Sequence, residues 1–203
     1  AKIKIDNCWF ENLTIANKTY YGFFEVQNSV FYNIESVAQN DAGYSQLDRL
    51  PQYNFCTFIN CQVLTASVSN PPNFTNCLIS KTTGSSSSYF QGIQPKLTKV
   101  YIDQSVSAQT TSIYTVIPDI KYFGFVNPTL KDFRLKNSSP AIGYGAFLSG
   151  ITKDFDGTSR PLFSFPDAGA YEHPNNAPSN GAPFLIQPTS LTFSEDQPVT
   201  INL

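Results

Sequence analysis

One polar stretch, residues 37–52, brings together carboxylates, a guanidinium and a phenol that could bind a sugar or an ion. The side chains with this chemistry are Asp41, Tyr44, Asp48 and Arg49. Binding residues are often carried on surface loops that a rigid scaffold positions, which favours a ligand site here. The alternative is a solvated loop, because loops are polar whether or not they bind anything.

Two aromatic side chains, Trp9 and Tyr89, could stack on the ring of a sugar. Aromatic faces supply apolar contact area with little loss of side-chain entropy. Trp9 is expected to point outward from a strand, and Tyr89 lies in a glycine- and serine-rich loop, residues 84–95. For Trp9 the alternative is cover by a neighbouring segment of the same chain, since exposed apolar groups are usually packed or incidental.

Asp154 and Asp156, followed by Gly157, resemble half of a calcium-binding loop. Calcium in proteins takes about six to eight oxygen ligands, more than these two carboxylates supply. The alternatives are a calcium site and a structural turn, and the ligand count favours the turn. No other cofactor is predicted.

Four cysteines could form disulfides or bind zinc. They are Cys8, Cys56, Cys61 and Cys77. Zinc needs four ligands that converge on one point, and the single histidine, His173, lies far along the chain. The spacing instead places the cysteines at inward positions of a repeat, where a free thiol behaves as a small buried hydrophobe. A disulfide between the second and the fourth cysteine remains the alternative.

A recurring phrase along the first 80 residues positions these side chains. Its copies are residues 7–12, 28–33, 56–60 and 76–79. Counted from Cys8 to Ser29, Cys56 and Cys77, the intervals are 21, 27 and 21 residues. Such a period indicates stacked structural units, and an insertion in one unit often forms the binding face. The long interval contains the polar stretch 37–52.

The apolar positions of each copy break the two-residue alternation of a strand. An asparagine stands at each break, and asparagine tolerates the left-handed backbone conformation better than most residues. The asparagines are Asn7, Asn28 and Asn76 at the first break, and Asn12, Asn33 and Asn60 at the second. Two bends per repeat predict a coil with three short faces, a parallel β-helix. The alternative is a β-sandwich, which does not require the same residue at the same place in successive repeats.

The predicted register divides neighbouring residues between the inside and the outside of the coil. Phe31 and Phe58 are expected to point inward, whereas Tyr32 and Ile59 are expected to point outward. Truncation of the outward pair should therefore cost much less stability than truncation of the inward pair.

The same register predicts which acids stack on the outside of the coil. The outward acids of the clear repeats are Asp6, Glu11, Glu25 and Glu35. A polysaccharide lyase needs a Lys or Arg base beside a cation, and a glycoside hydrolase needs two nearby carboxylates. Asp6 is expected beside Gln27, and Glu11 beside Tyr32, so neither acid stacks on another. The segment is therefore predicted to be non-catalytic.

Four phrases in residues 131–172 carry a family resemblance. They are Asp132-Phe133-Arg134-Leu135, Ser139-Pro140-Ala141-Ile142, Asp154-Phe155-Asp156-Gly157-Thr158-Ser159-Arg160-Pro161 and Asp167-Ala168-Gly169-Ala170-Tyr171-Glu172. This succession resembles the closing segment of secreted bacterial right-handed parallel β-helix proteins of the pectate-lyase-like superfamily. Gly143 departs from the pattern, because the family usually has Asp there. The resemblance implies that the segment closes the C-terminal end of the solenoid.

These patterns divide the chain into three parts. Residues 1–172 are predicted to form the β-helix coils and their closing segment, and residues 173–183 a Pro/Asn/Gly linker. Residues 184–203 resemble the start of a cadherin-like or immunoglobulin-like β-sandwich module, a short β-rich extension too small to fold alone. We expect a longer multidomain parent with β-sandwich modules downstream.

Charge and hydropathy narrow the class of function. The net charge of −2 argues against nucleic-acid binding, and the absence of an 18-residue apolar run argues against a membrane span. The superfamily includes lyases, hydrolases and surface proteins, so the resemblance implies no particular activity. The expected function is a non-catalytic module, secreted or at the cell surface, for adhesion or for binding extracellular polysaccharide or surface proteins. The alternative is the C-terminal portion of a polysaccharide lyase or glycoside hydrolase.

Overall fold

The computed structural model describes residues 2–19, 23–40, 51–67, 72–81, 89–91, 94–162 and 165–174. Within this part the protein is all-β apart from two short 3₁₀ helices, Ile120–Phe123 and Pro128–Leu130. Residues 41–50 of the polar stretch and the C-terminal residues 175–203 lie outside the described residues. No helix in the described part has the length and apolar character that crossing a bilayer requires.

Short strands recur in threes along the first part of the chain. Repeat 1 contains β1 (Lys2–Asp6), β2 (Trp9–Glu11) and β3 (Ile15–Thr19). Repeat 2 contains β4 (Phe23–Gln27), β5 (Val30–Tyr32) and β6 (Ser36–Asn40). Repeat 3 contains β7 (Gln52–Asn54), β8 (Thr57–Ile59) and β9 (Val63–Ser67). Repeat 4 contains β10 (Asn73–Thr75), β11 (Leu78–Ser80) and β12 (Phe90–Gln91). The later strands are β13 (Lys96–Ile102), β14 (Ile113–Val116), β15 (Phe125–Asn127) and β16 (Asp132–Leu135).

Equivalent strands of successive repeats pair in parallel and form three ribbons. The first ribbon is β1-β4-β7-β10-β13, the second is β2-β5-β8-β11-β13, and the third is β3-β6-β9-β12. The long strand β13 belongs to the first two ribbons and joins them into one sheet of ten strands, in which β14 pairs with β13. This mostly parallel sheet curls through 279° into a half-barrel, an arrangement consistent with a β-helix-like solenoid. The strands β15 and β16 form a separate antiparallel pair.

The predicted asparagine bends are confirmed. Their φ angles are 52° at Asn7, 47° at Asn28, 57° at Asn76, 56° at Asn12, 54° at Asn33 and 55° at Asn60. At the second bend the side chains also form a ladder: Asn33 Nδ2 donates to Asn12 Oδ1 at 2.6 Å, and Asn60 Nδ2 donates to Asn33 Oδ1 at 2.8 Å. At the first bend, repeat 3 uses Phe55 (φ 53°) and β13 uses Lys99 (φ 56°). The bend is therefore a property of the stacked position, and asparagine is its favoured occupant.

The inner core lies inside the curled sheet and consists of stacked identical or similar side chains. Phe10, Phe31 and Phe58 form one column, with ring centroids 4.7 Å apart at both steps. Tyr53 and Phe74 stack at 4.8 Å in the neighbouring column. All four cysteines are free, and the last three are buried in this core. The inward register and the packed thiols predicted from the sequence are both present.

The outer core lies on the opposite side of the second ribbon, where the segment 117–173 covers the sheet. Its buried members from the ribbon include Val30, Ile59 and Leu78. Ile59 points outward from the coil as predicted, but the side chain is only 1% exposed, so the expectation that its truncation costs little stability does not hold. The resemblance implied closure of one end of the solenoid, but the contacts of this segment run along its flank, from Trp9 to Tyr101. The second ribbon is thus covered on both of its faces, completely at β8 and β11 and partly at β2.

Candidate functional site

Trp9 does not present a free aromatic face. Its ring stacks on Phe133 at a centroid distance of 5.8 Å and meets the edge of Phe155 at 6.4 Å. Its Nε1 donates to Glu11 Oε2 at 3.0 Å, and the Glu11 carboxylate also pairs with the ammonium of Lys131. Of the two alternatives for Trp9, cover by the same chain is the one that the structure shows.

Tyr89 is fully buried, so its ring is not exposed for stacking on a sugar. Its hydroxyl donates to Asp103 Oδ1 at 2.7 Å, and Lys81 Nζ lies 4.3 Å from the centre of its ring. The backbone N–H of Lys81 donates to the other oxygen of Asp103. Burial raises the pKa of Asp103 and lowers the pKa of Lys81. These contacts tie Lys81 and Tyr89 of repeat 4 to Asp103, which follows β13.

Asp154 takes part in the turn instead of presenting oxygens to a cation. It is 1% exposed, its Oδ1 accepts from the N–H of Thr158 at 2.7 Å, and its Oδ2 accepts from the N–H of Glu172 at 2.7 Å. Asp156 is exposed, and its pKa is raised by partial burial and by the nearby charge of Asp154. Among the described residues no group of three or more His, Cys, Asp or Glu side chains could hold a metal ion. The donor set therefore does not fit a calcium site. The remaining predicted site residues, Asp41, Tyr44, Asp48 and Arg49, lie outside the described residues.

A buried ion pair joins two phrases of the segment 117–173, and sequence reasoning did not anticipate it. Arg160 Nη1 lies 3.0 Å from Glu172 Oε1, and both side chains are almost completely buried. The guanidinium also donates to the carbonyls of Asp167 at 2.8 Å and Gly169 at 3.1 Å, and it lies 4.0 Å from the ring centre of Phe55. Burial raises the pKa of Glu172 to about 7, although the charge of Arg160 opposes this shift. A charge pair so deeply enclosed positions the segment and has no route to a substrate.

The outward side of the first ribbon is a polar face built from two columns of side chains. One column is Lys4, Glu25, Gln52, Asn73 and Lys96, and the other is Asp6, Gln27, Asn54, Thr75 and Thr98. Their apolar neighbours along each strand point into the inner core, so period-two alternation directs these ten side chains outward. Successive members of a column stand on strands about 4.8 Å apart. We refer to these ten side chains as the polar face.

Amide groups hold the carboxylates of the polar face in place. Asp6 accepts from Gln27 Nε2 at 2.5 Å and from Asn28 Nδ2 at 3.1 Å, as the predicted stacking of Asp6 on Gln27 requires. Glu25 Oε1 accepts from Asn54 Nδ2 at 3.3 Å. The Oε1 of Gln27 and the Oδ1 of Asn28 are buried and have no hydrogen-bond partner among the described residues. Orphaned buried acceptors are rare in folded proteins, which singles out this corner of the face.

The polar face contains both buried and solvent-accessible side chains. Gln27 is 3% exposed and serves as support, whereas Asp6 is exposed and Gln52, Asn73 and Thr75 are half-buried. The alternation of polar and apolar residues in β1 and β4 could have revealed this face from the sequence. Comparison of the chain with protein-family models, with curated proteins and with solved structures gave no match.

Proposed function

We propose that this chain is part of a secreted or cell-surface protein, a right-handed parallel β-helix of the pectate-lyase-like type, and that it binds extracellular polysaccharide without catalysis. The curled parallel sheet, with bends and side-chain columns repeated at equivalent positions, supports the β-helix. The bacterial origin, the adhesive role and the β-sandwich modules downstream rest on the sequence resemblances alone. The polar face is the observation that carries the binding function.

A polysaccharide lying across the first ribbon would meet hydrogen-bonding groups at regular steps. Side chains of one column repeat at about 4.8 Å, close to the length of a sugar ring. Gln52 and Asn73 are neighbours in one column. Gln52 offers both an amide donor and a carbonyl acceptor to sugar hydroxyls. The side-chain carbonyl oxygen of Asn73 is buried without a partner among the described residues, so Asn73 offers its amide donor. Asp6 adds a carboxylate that two amides keep in one orientation. Preorganised polar groups of this kind lower the entropic cost of binding.

The alternative, glycoside hydrolysis, has one observation in its favour. Asp6 and Glu25 lie on adjacent strands of the same face, and a pair of carboxylates is what such enzymes use. Each carboxylate already accepts a hydrogen bond from a side-chain amide of the same face, Asp6 from Gln27 and Glu25 from Asn54. A hydrolase needs both carboxylates directed at the scissile bond. These contacts direct them at neighbouring side chains instead, which supports binding over catalysis.

The test is a glycan array of neutral and acidic extracellular polysaccharides, followed by calorimetry on the polysaccharide that binds. The double variant Gln52→Ala/Asn73→Ala should weaken binding about tenfold or more, because each side chain contributes about 0.5 to 1.5 kcal/mol through its hydrogen bonds. Lys153→Ala, an exposed change in the segment 117–173, is the matched control and should leave affinity unchanged. Equal affinity of the double variant and the control would refute the polar face as the site.

The catalytic alternative is tested on the same protein. Release of reducing ends or unsaturated products from pectin, alginate or glycosaminoglycans would support it, provided that Asp6→Asn and Glu25→Gln each abolish turnover. Turnover that survives both substitutions would place the activity away from the polar face.

A further inference from the structure

A cleft beside the antiparallel pair β15–β16 has the size and the lining of a ligand site. Its volume is about 540 Å³, within the range of about 300 to 1,000 Å³ usual for small-molecule sites. Among the described residues, its ionisable lining side chains are Arg134, Lys136 and His173, all of them basic types, and no acid. Val126 and Leu135 supply apolar wall. It lies in the segment 117–173, whereas the polar face belongs to the first ribbon.

The turn that carries the polar lining is anchored at both ends. The backbone N–H of Lys136 donates to the carbonyl of Gly124 at 2.7 Å, and the N–H of Ser139 donates to the carbonyl of Lys136 at 2.9 Å. The hydroxyl of Ser139 donates to the carbonyl of Phe123 at 2.6 Å. Lys136, Asn137 and Ser138 are therefore exposed side chains on a fixed backbone. Donors held on a fixed backbone are a recurring feature of anion sites.

The guanidinium of Arg134 is held in place by an acid outside the cleft lining. Asp132 accepts from Arg134 Nε at 2.8 Å and from Nη2 at 2.5 Å, a two-point contact that raises the pKa of the arginine and lowers that of the acid. This contact uses two of the five N–H donors of the guanidinium. Asp132 also cancels much of the positive charge of Arg134, so the net charge of the cleft comes mainly from Lys136.

We propose that this cleft binds a tetrahedral oxyanion, a sulfate or phosphate ester carried on a sugar or another small ligand. Asp132 occupies the Nε and Nη2 edge of Arg134, so three of the five N–H donors of the guanidinium remain for a ligand. Three further kinds of donor line the cleft: the ammonium of Lys136, the amide of Asn137 and the hydroxyl of Ser138. Three oxygens arranged in a tetrahedron can meet such donors at once, whereas a carboxylate offers only two. The apolar wall suits the carbon skeleton that carries the ester.

The experiment is an NMR titration of the whole chain with glucose 6-sulfate, glucose 6-phosphate, glucuronate and glucose as probes. Backbone shifts at residues 134–138 should respond to the sulfate or the phosphate ester, and the stronger of the two responses identifies the ester. Lys136→Gln should weaken this binding about tenfold, the loss expected for one charge-assisted hydrogen bond. Lys153→Gln removes an exposed lysine elsewhere on the same segment and should change nothing.

Two results would overturn the proposal. One is the absence of shifts at residues 134–138 with either ester at millimolar concentration, and the other is glucuronate binding as tightly as the esters. Failure here is distinguishable from failure of the proposed function. Lys136→Gln leaves the polar face intact, and the double variant Gln52→Ala/Asn73→Ala leaves the cleft intact.

Discussion

Two neighbouring residues of β8 provide a sharp test of the double-sided burial of the second ribbon. Phe58 is fully buried in the inner core, and Ile59, the next residue, is 1% exposed in the outer core. Ile59→Ala removes three buried carbons, worth about 0.8 kcal/mol each in transfer free energy. The cavity left behind raises the expected loss to roughly 3 kcal/mol. Phe58→Ala should cost about 3 to 5 kcal/mol.

The assay is equilibrium unfolding in urea, followed by far-ultraviolet circular dichroism and by tryptophan fluorescence. The single tryptophan, Trp9, stacks on Phe133 of the covering segment, so its fluorescence reports the outer core. Leu130→Ala is the control, because Leu130 is 76% exposed on the same segment and should cost less than about 0.5 kcal/mol. A loss below about 1 kcal/mol for Ile59→Ala, together with a large loss for Phe58→Ala, would refute the outer core.

Four further outcomes follow from the structure. Tyr53→Phe should leave stability unchanged or raise it by about 1 kcal/mol in the same urea assay, because the Tyr53 hydroxyl is buried without a partner among the described residues; a large loss would reveal a partner. Gly169→Ala should lower the free energy of unfolding by about 3 kcal/mol or more, because Gly169 has φ 95° and a Cβ there would lie 2.7 Å from Leu78 Cδ1. Wild-type stability of this variant would contradict the packing of Gly169 against the second ribbon. The pKa of Glu172 in the folded protein, about 7, lies above its ordinary value of 4.5. The protonated side chain therefore contributes its full stabilisation below about pH 4.5, and this contribution is lost as the pH rises through 7. In Glu172→Gln, the urea concentration at the unfolding midpoint should depend less on pH across that window. Ellman titration should find little reactive thiol in the native protein and four thiols after unfolding without reductant, and a count of two or none would establish disulfides.

The bends and the inner core could be predicted because they depend on local sequence and on repetition. An asparagine in the left-handed conformation changes which side of the coil the following side chains face, and the same change recurs in each repeat. Repeat 3 shows the limit of this reasoning, since its left-handed residue is Phe55 and not the preceding Asn54. Hydrogen bonding between stacked repeats determines which residue adopts the left-handed conformation. The backbone N–H of Phe55 donates to the carbonyl of Thr75, just as the N–H of Asn28 donates to the carbonyl of Asn54 and that of Asn76 to the carbonyl of Thr98.

The outer core could not be predicted from local patterns, because contacts between distant parts of the chain hold it to the second ribbon, some of them between residues more than 100 positions apart. The N–H of Ala170 donates to Thr57 Oγ1 at 2.9 Å, and both residues are fully buried. The outward position predicted for Trp9 indicated only that a neighbouring segment could cover it. The identity of the cover depends on a close approach between Gly169 and the second ribbon, which no periodicity encodes.

The double-sided burial of the second ribbon also determines where a ligand can bind. Exposed aromatic side chains on a sheet often bind sugars, and for that reason the outward position of Trp9 predicts a sugar contact. Once the segment 117–173 covers the second ribbon, its side chains contribute stability and have no access to a ligand. The first ribbon carries polar side chains outward, so among the described residues it offers hydrogen-bonding groups that the covered second ribbon does not. The covering segment brings a second surface of its own, the cleft beside β15 and β16, whose basic and hydroxyl groups suit a different ligand chemistry.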